Sequence, residues 1–207
     1  LLLKRYGNPY LFSNNQAEPQ RSTRLFPPAS ACGLSTGNKA TMSQRTTLLI
    51  VYHSLTGGTL QMVEAASTGA RQEESVEVRV LHASQAGPQD LLQAQGYLFA
   101  TPENLAAISG LMKDFFDRSY YGVLDRIQGR PYASLVCAGS DGHNAARQME
   151  RIATGWRLKA VAEPLIICTH AQTPEAILAP KQIPSADLQR CEELGQSLAT
   201  GLALGIF

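Results

Sequence analysis

The stretch 47–59 constrains the fold most, because it joins a short apolar run to a turn of hydroxyl groups and glycines. Residues 48–52 (Leu-Leu-Ile-Val-Tyr) are strand formers, as expected for a strand buried on both faces. Residues 54–59 (Ser-Leu-Thr-Gly-Gly-Thr) follow, and residues 60–70 then carry apolar side chains at helical spacing. Strand, turn and helix in this order predict an anion cradle, since free backbone N–H groups and the helix dipole favour negative charge there.

The side chains of this turn also indicate which anion it would hold. Residues 54–59 contain no Lys or Arg, whereas a Walker-type loop needs a Lys for a nucleotide triphosphate. The G-x-G-x-x-G pattern of a dinucleotide site is missing as well. Neutral donors alone favour a single terminal phosphate monoester. The alternative is structural: the Ser and Thr side chains cap the start of their own helix.

This turn resembles the phosphate loop of the flavodoxin family, which holds the 5′-phosphate of FMN without a cationic side chain. The resemblance implies FMN as the cofactor. It also implies a first set of cofactor-binding residues in this chain: Ser54, Leu55, Thr56, Gly57, Gly58 and Thr59.

The bulk properties fit one domain in a reducing compartment. A chain of 207 residues can bury a sizeable core. The four cysteines, at 32, 137, 168 and 191, are scattered without a C-x-x-C pair, which argues against a disulfide framework or a zinc site. No run of about 18 apolar residues is present. We therefore expect a cytoplasmic protein that neither spans a membrane nor holds a metal.

The first 41 residues differ from the rest in composition and charge. They carry a formal net charge of +4, are rich in Gly, Pro, Asn, Ser and Gln, and show no sustained hydrophobic periodicity. We interpret residues 1–41 as a leader that is disordered or foreign to the native protein, with the functional domain starting at Met42. The remaining chain, residues 42–207, has a formal net charge of −3, which does not favour binding to nucleic acid.

Strand-like and helix-like segments alternate along residues 42–207. Strands are predicted at 48–52, 76–80, 96–100, 133–138 and 165–168, and helices at about 58–71, 88–94, 143–158 and 185–202, with a further helix containing residues 108–116. Such alternation predicts an α/β fold with a doubly wound parallel sheet. Five strands fit the flavodoxin-like order 2-1-3-4-5, which places a ligand between strands 1 and 3 at their carboxyl ends.

Turns rich in Gly, Pro or polar side chains follow the first, third and fourth predicted strands, which are neighbours in this order. Beyond the second of these turns, residues 109–118 (Ser-Gly-Leu-Met-Lys-Asp-Phe-Phe-Asp-Arg) resemble a stretch of the NAD(P)H-dependent FMN reductases and quinone reductases of the flavodoxin superfamily. The resemblance implies that both further turns line the flavin. It adds these cofactor-binding residues: Thr101, Pro102, Glu103, Asn104, Leu105, Ala106, Gly139, Ser140, Asp141 and Gly142.

Among the titratable residues, His143 is the predicted catalytic group, because an imidazole near a flavin could hold nicotinamide or relay a proton. A histidine at a helix start that merely faces water is the alternative. For the charged side chains of residues 113–118 we favour a solvated helix face with i,i+4 pairs such as Asp114–Arg118.

The resemblance implies an oxidoreductase that passes electrons or hydride from NAD(P)H through FMN to a quinone or similar acceptor. NAD(P)H would be a transient co-substrate in a ping-pong cycle, because no second domain is present to bind it. The first alternative is a non-enzymatic electron carrier. The flavin-facing turns lack the Trp or Tyr that such carriers commonly stack on the ring, and Tyr120 and Tyr121 are the nearest aromatic candidates. The second alternative, a phosphorylation-dependent response regulator of the same topology, is much less consistent with the sequence. The sequence leaves open whether the protein forms a homodimer.

Overall fold

The computed structural model describes residues 45–207, so the predicted leader and the start at Met42 lie outside the described residues. Seven strands and six helices follow one another in this part of the chain. In order they are β1 (Thr46–Tyr52), α1 (Gly58–Ala70), β2 (Val76–His82), α2 (Pro88–Gln93), β3 (Gly96–Asn104), β4 (Ala107–Ile108), α3 (Gly110–Val123), β5 (Pro131–Ala138), α4 (His143–Gly155), β6 (Lys159–Ala160), β7 (Leu165–Cys168), α5 (Pro174–Leu178) and α6 (Ser185–Leu204).

The sheet confirms the predicted strand order. β1 lies between β2 and β3, β3 pairs with β5, and β5 pairs with β7, all in parallel. The five predicted strands thus run in the order 2-1-3-4-5. β6 and β7 both pair with β5 and extend the same edge, so the fifth strand is interrupted at residues 161–164.

Each face of the sheet carries its own hydrophobic core, as expected when helices cover both sides. Alternate residues of β1 explain the division: Leu49 and Val51 enter one core, and Leu48 and Ile50 enter the other. The first core is covered by α2, α3 and α4, with Trp156 and Phe99 fully enclosed. The second is covered by α1 and α6. The carboxyl ends of the central strands stay free of helices, which leaves that edge open for a site.

The structure corrects the prediction after the third strand. Residues 101–104 were expected to form a turn, but β3 continues through Asn104 and folds back antiparallel as β4. Pro102 is tolerated because β1 ends opposite Ala100, so the strand has a free side there and the missing N–H costs no ladder bond. Ile108, expected in the following helix, therefore lies in β4.

The charged side chains of α3 behave as predicted. Arg118 Nε donates to Asp114 (2.7 Å) and Lys113 Nζ donates to Asp117 (2.5 Å), both at i,i+4 spacing and exposed. Arg118 also donates to the carbonyl of Ala83, which fixes α3 to the loop after β2. These residues therefore stabilise the fold.

Candidate functional site

A cleft of about 410 Å³ lies at the carboxyl ends of β1, β3 and β5 and brings the three predicted turns together. Twelve of its lining residues were predicted from the sequence, and the others come from the end of β5 and from the segment after β7. The lining consists of Ser54, Leu55, Thr56, Gly58, Thr59, Pro102, Glu103, Asn104, Leu105, Ala106, Cys137, Ala138, Gly139, Ser140, Thr169, Ala171, Ile177, Leu178 and Lys181.

The first turn presents unused backbone donors to this cleft. Gly57, at φ 83° in the left-handed region, turns the chain into α1, a conformation that glycine adopts at no steric cost. Within the described part of the chain, the backbone N–H groups of residues 55–59 donate to no other residue. They lie where the dipole of α1 adds positive potential, so an anion is the matching ligand.

Two hydroxyl groups of this turn have different roles. Ser54 Oγ accepts a hydrogen bond from the backbone N–H of Leu60 (3.2 Å), so the capping interpretation holds in part for this residue. Thr59 is only 1% exposed, and its Oγ1 has no hydrogen-bond partner among the described residues. A buried hydroxyl without a partner is costly. A phosphate oxygen in the cleft would satisfy it.

Gly58 lets other parts of the chain approach the turn closely. A Cβ atom at this position would lie 2.6 Å from Cys137 Sγ and 3.2 Å from Lys181 Cβ. Burial raises the pKa of the Cys137 thiol to about 11, and the positive charge of nearby Lys181 offsets part of this effect. The thiol is therefore neutral at physiological pH and serves as an apolar floor of the cleft.

The second turn is the tip of the β3–β4 hairpin. Leu105 (φ 51°) and Ala106 (φ 57°) both occupy the left-handed region, which is the geometry of a two-residue hairpin loop. Neither residue is a glycine, so each costs roughly 1–2 kcal/mol of backbone strain. The Leu105 side chain is fully exposed at the rim of the cleft.

The third turn is joined to the hairpin by a carboxylate. Glu103 Oε2 accepts a hydrogen bond from the backbone N–H of Gly142 (2.9 Å). The other oxygen, Oε1, is buried without a partner among the described residues, although Glu103 lines the cleft. A carboxylate with a free acceptor lone pair in such a wall suits a ligand that donates an N–H or O–H group.

Five of the predicted residues do not line the cleft. Gly57 and Gly142 shape the starts of α1 and α4, and Thr101 is buried, where its Oγ1 accepts from the N–H of Ser109 (3.1 Å). Asp141 is exposed beside the cleft. His143 is the first residue of α4 and is exposed, so its catalytic role stays a prediction.

The wall formed after β7 was not predicted from the sequence. It consists of Thr169, Ala171, Ile177, Leu178 and Lys181. The first turn has no cationic side chain, and Lys181 brings one to the cleft from the segment after β7. A local signal for α5 existed: Thr173 caps it and Pro174 follows at its first position.

None of the described residues that line the cleft has an aromatic side chain. Tyr120 instead stacks on Trp156, with ring centroids 5.8 Å apart, and belongs to α3 on the first core. Aliphatic side chains take the place of aromatic walls, namely Leu55, Leu105, Ile177 and Leu178. The cleft thus combines a polar cradle at one end with aliphatic walls that a flat apolar ring could contact.

Comparisons with known proteins agree with this geometry. Residues 82–172 match the family described as NADPH-dependent FMN reductase. A flavodoxin of Aquifex aeolicus is 37% identical over 93 residues, which cover 45% of this chain and 48% of that protein. An NAD(P)H dehydrogenase (quinone) of Acidithiobacillus ferrooxidans is 33% identical over 92 residues, covering 35% of this chain and 46% of that protein. The chain therefore spans about half the length of these curated relatives.

The fold comparison points the same way. The solved structure of a flavodoxin from the domain Archaea superposes with a TM-score of 0.62 at 19% identity, over 76% of this chain and 99% of that one. At this identity the similarity shows the fold alone.

Among the helices that the structure describes, none has both the length and the apolar character needed to cross a bilayer.

Proposed function

We propose that the chain, which resembles the NADPH-dependent FMN reductases of the flavodoxin-like superfamily, binds FMN and passes electrons from NAD(P)H to a quinone or similar acceptor. The observation that carries this proposal is the unpartnered, buried hydroxyl of Thr59 beside the free backbone N–H groups of residues 55–59. Together they form a neutral cradle for one phosphate group.

The cleft offers interaction partners for the phosphate, the ribityl chain and the ring of FMN. Thr59 Oγ1, Ser54 Oγ and the N–H groups of the first turn would hold the phosphate. Leu55, Leu105 and the wall after β7 would enclose the ring, and Glu103 Oε1 would accept from a ring N–H or a ribityl hydroxyl. The flavin supplies the hydride chemistry when bound, while the protein positions it and excludes water from one side.

His143 remains our candidate for holding nicotinamide or moving a proton, from its place at the start of α4. The cleft is open to the outside, so NAD(P)H would stack on the flavin and leave before the acceptor enters. This order is a ping-pong cycle, in which one exposed face serves both substrates in turn.

A second candidate function is electron transfer without catalysis, because two of the relatives found are flavodoxins. The aliphatic walls favour the enzyme, since they leave the ring face without a stacked aromatic side chain. The modest balance of −3 on residues 42–207 also favours it over a carrier that docks on basic partners.

The test compares the wild-type chain with Thr59→Val, which removes the hydroxyl and keeps the shape. The matched control is Thr68→Val, on the exposed side of the same helix, where Oγ1 donates to Glu64 O (2.9 Å). We expect FMN to raise the melting temperature of the wild type and of Thr68→Val. Thr59→Val should bind about tenfold more weakly, which is the cost of one lost charge-assisted hydrogen bond.

Activity is then measured as NAD(P)H oxidation with and without a quinone. Steady, quinone-dependent oxidation by the FMN-loaded protein supports the enzyme. Flavin binding without turnover supports the electron carrier. If saturating FMN changes neither the melting temperature nor the flavin spectrum, the proposed function is wrong.

A further inference from the structure

Helix α5 forms part of the cleft without being held by the core. None of its five residues is buried. Ile177 and Leu178 are 50% and 71% exposed, yet both line the cleft. A segment with so little buried apolar surface opens easily unless polar contacts fix it.

Lys181 supplies those polar contacts. Its ammonium group donates to the carbonyls of Ala176 (2.7 Å), Ile177 (2.8 Å) and Ala179 (2.6 Å), which are the orphan acceptors at the end of α5. A cation at this end is also favoured by the helix dipole. All three ammonium protons are used in this way. The chain uses the same arrangement at α2, where Arg130 Nη1 donates to Leu91 O and Leu92 O.

The backbone of Lys181 is fixed to the first turn. Its N–H donates to Thr56 O (2.8 Å), and its carbonyl accepts from Gln61 Nε2 (2.7 Å). Gln61 Oε1 also accepts from the N–H of Ile183 (3.1 Å), and Gln61 Nε2 donates to Gly57 O as well. One lysine thus contacts the phosphate cradle through its backbone and α5 through its side chain.

We propose that Lys181 is a positioning residue of the flavin site, which clamps α5 to the first turn so that Ile177 and Leu178 stay in place as the outer wall. This inference rests on the proposed function for the identity of the ligand. It assigns the ammonium group to α5 rather than to the phosphate, because its three donors are already engaged by carbonyls.

The first experiment needs no ligand. Hydrogen exchange is measured in the full chain for the amides of Ile177 and Ala179, which donate to Thr173 O (2.8 Å) and Glu175 O (2.9 Å). In Lys181→Met we expect both to exchange about tenfold faster, since α5 then opens more often. The melting temperature should change by less than about 2 °C, because α5 contributes no buried residue.

The matched control is Lys113→Met, which removes an exposed lysine of α3 that pairs with Asp117. Exchange at Ile177 and Ala179 should equal that of the wild type in this variant. Unchanged exchange in Lys181→Met would overturn the clamp. So would a fall in melting temperature of many degrees, which would mean that Lys181 supports the whole domain.

The second experiment separates a clamp from a phosphate ligand by comparing FMN with riboflavin, which lacks the phosphate. A clamp acts on the wall around the ring, so Lys181→Met should weaken both ligands by the same factor, about fivefold. Iodide should also quench the bound flavin more readily. Loss of affinity for FMN alone would show a phosphate contact and overturn the assignment. If the wild type binds neither flavin, the proposed function fails, and the exchange measurement still decides whether Lys181 fixes α5.

Discussion

Glu103 Oε2 accepts a hydrogen bond from the backbone N–H of Gly142 at 2.9 Å, and this contact joins the β3–β4 hairpin to the turn after β5. The two residues are 39 positions apart in the chain but face each other across the open edge of the sheet. Gly142 holds the left-handed conformation that starts α4, so the same contact fixes the beginning of that helix. One carboxylate thus sets the spacing of two of the three turns.

Replacing Glu103 tests the two functions of its carboxylate separately. Glu103→Ala removes the acceptor and leaves the N–H of Gly142 unpaired, so we expect the free energy of unfolding to fall by about 1–2 kcal/mol. Glu103→Gln keeps an acceptor and should stay within about 0.5 kcal/mol of the wild type. Urea unfolding of the apoprotein measures both variants. Equal loss in the two would contradict the role of the hydrogen bond.

The charge of Glu103 has its own readout in the reduction potential of bound FMN. A carboxylate in the wall of the cleft disfavours further negative charge on a reduced ring. Glu103→Gln should therefore raise the potential in a spectroelectrochemical titration. Asp141→Asn is the control, because this carboxylate is exposed and does not line the cleft. A shift of the same size in the control would show a general surface effect.

Gly58→Ala is predicted to damage the cradle. The added Cβ would lie 2.6 Å from Cys137 Sγ, so β5 or the first turn must move. We expect a loss of about 1–3 kcal/mol in the free energy of unfolding, as for other overpacked sites, together with weaker FMN binding. Gly110→Ala is the control at the start of α3, where an added Cβ meets no atom within 4 Å. Denaturant unfolding and FMN titration of both variants check the prediction.

The sheet and the first turn could be predicted because their signals are local. The apolar run at 48–52 has no polar face, so only a strand covered on both sides can bury it, and its alternate side chains do enter two cores. Likewise the glycines and hydroxyls of residues 54–59 directly precede the helical pattern. Neither inference needed knowledge of a distant contact.

The hairpin and the wall after β7 could not be predicted, because their determinants lie elsewhere in the fold. Leu105 and Ala106 show no turn preference by residue type, and the pairing of Glu103 with Ile108 forces their conformation. Lys181 donates its backbone N–H to Thr56 O in the first turn, and 125 positions of sequence separate the two residues. In the sequence alone, nothing distinguishes this lysine from other cationic residues that lie before a helix with proline at its N-terminus.

Leu55→Trp tests whether the aliphatic wall determines the optical properties of the site. The exposed leucine lines the cleft, so an indole at this position can stack on the ring of bound FMN. Stacking should tighten FMN binding by about 0.5–1.5 kcal/mol, and flavin fluorescence should fall below that of the wild-type complex. Leu111→Trp adds the same side chain to α3, outside the cleft, and should change neither quantity. A wild-type complex that is already non-fluorescent would contradict the absence of a stacked aromatic ring.

His53 is buried directly before the first turn, and its Nδ1 has no hydrogen-bond partner among the described residues. Burial, and secondarily His82 with its ring centroid 5.5 Å away, lowers the pKa of His53 in the folded protein below 6.5. Below about pH 6.5 the unfolded chain therefore binds a proton at His53 that the folded chain does not. The contribution of His53 to the free energy of unfolding is complete above that pH and is lost as the pH falls through its lowered pKa. His53→Phe should flatten this decline in urea unfolding between pH 7.5 and 5, whereas His82→Phe should reduce it less, because burial is the larger cause. A decline as steep in His53→Phe as in the wild type would assign it to another group.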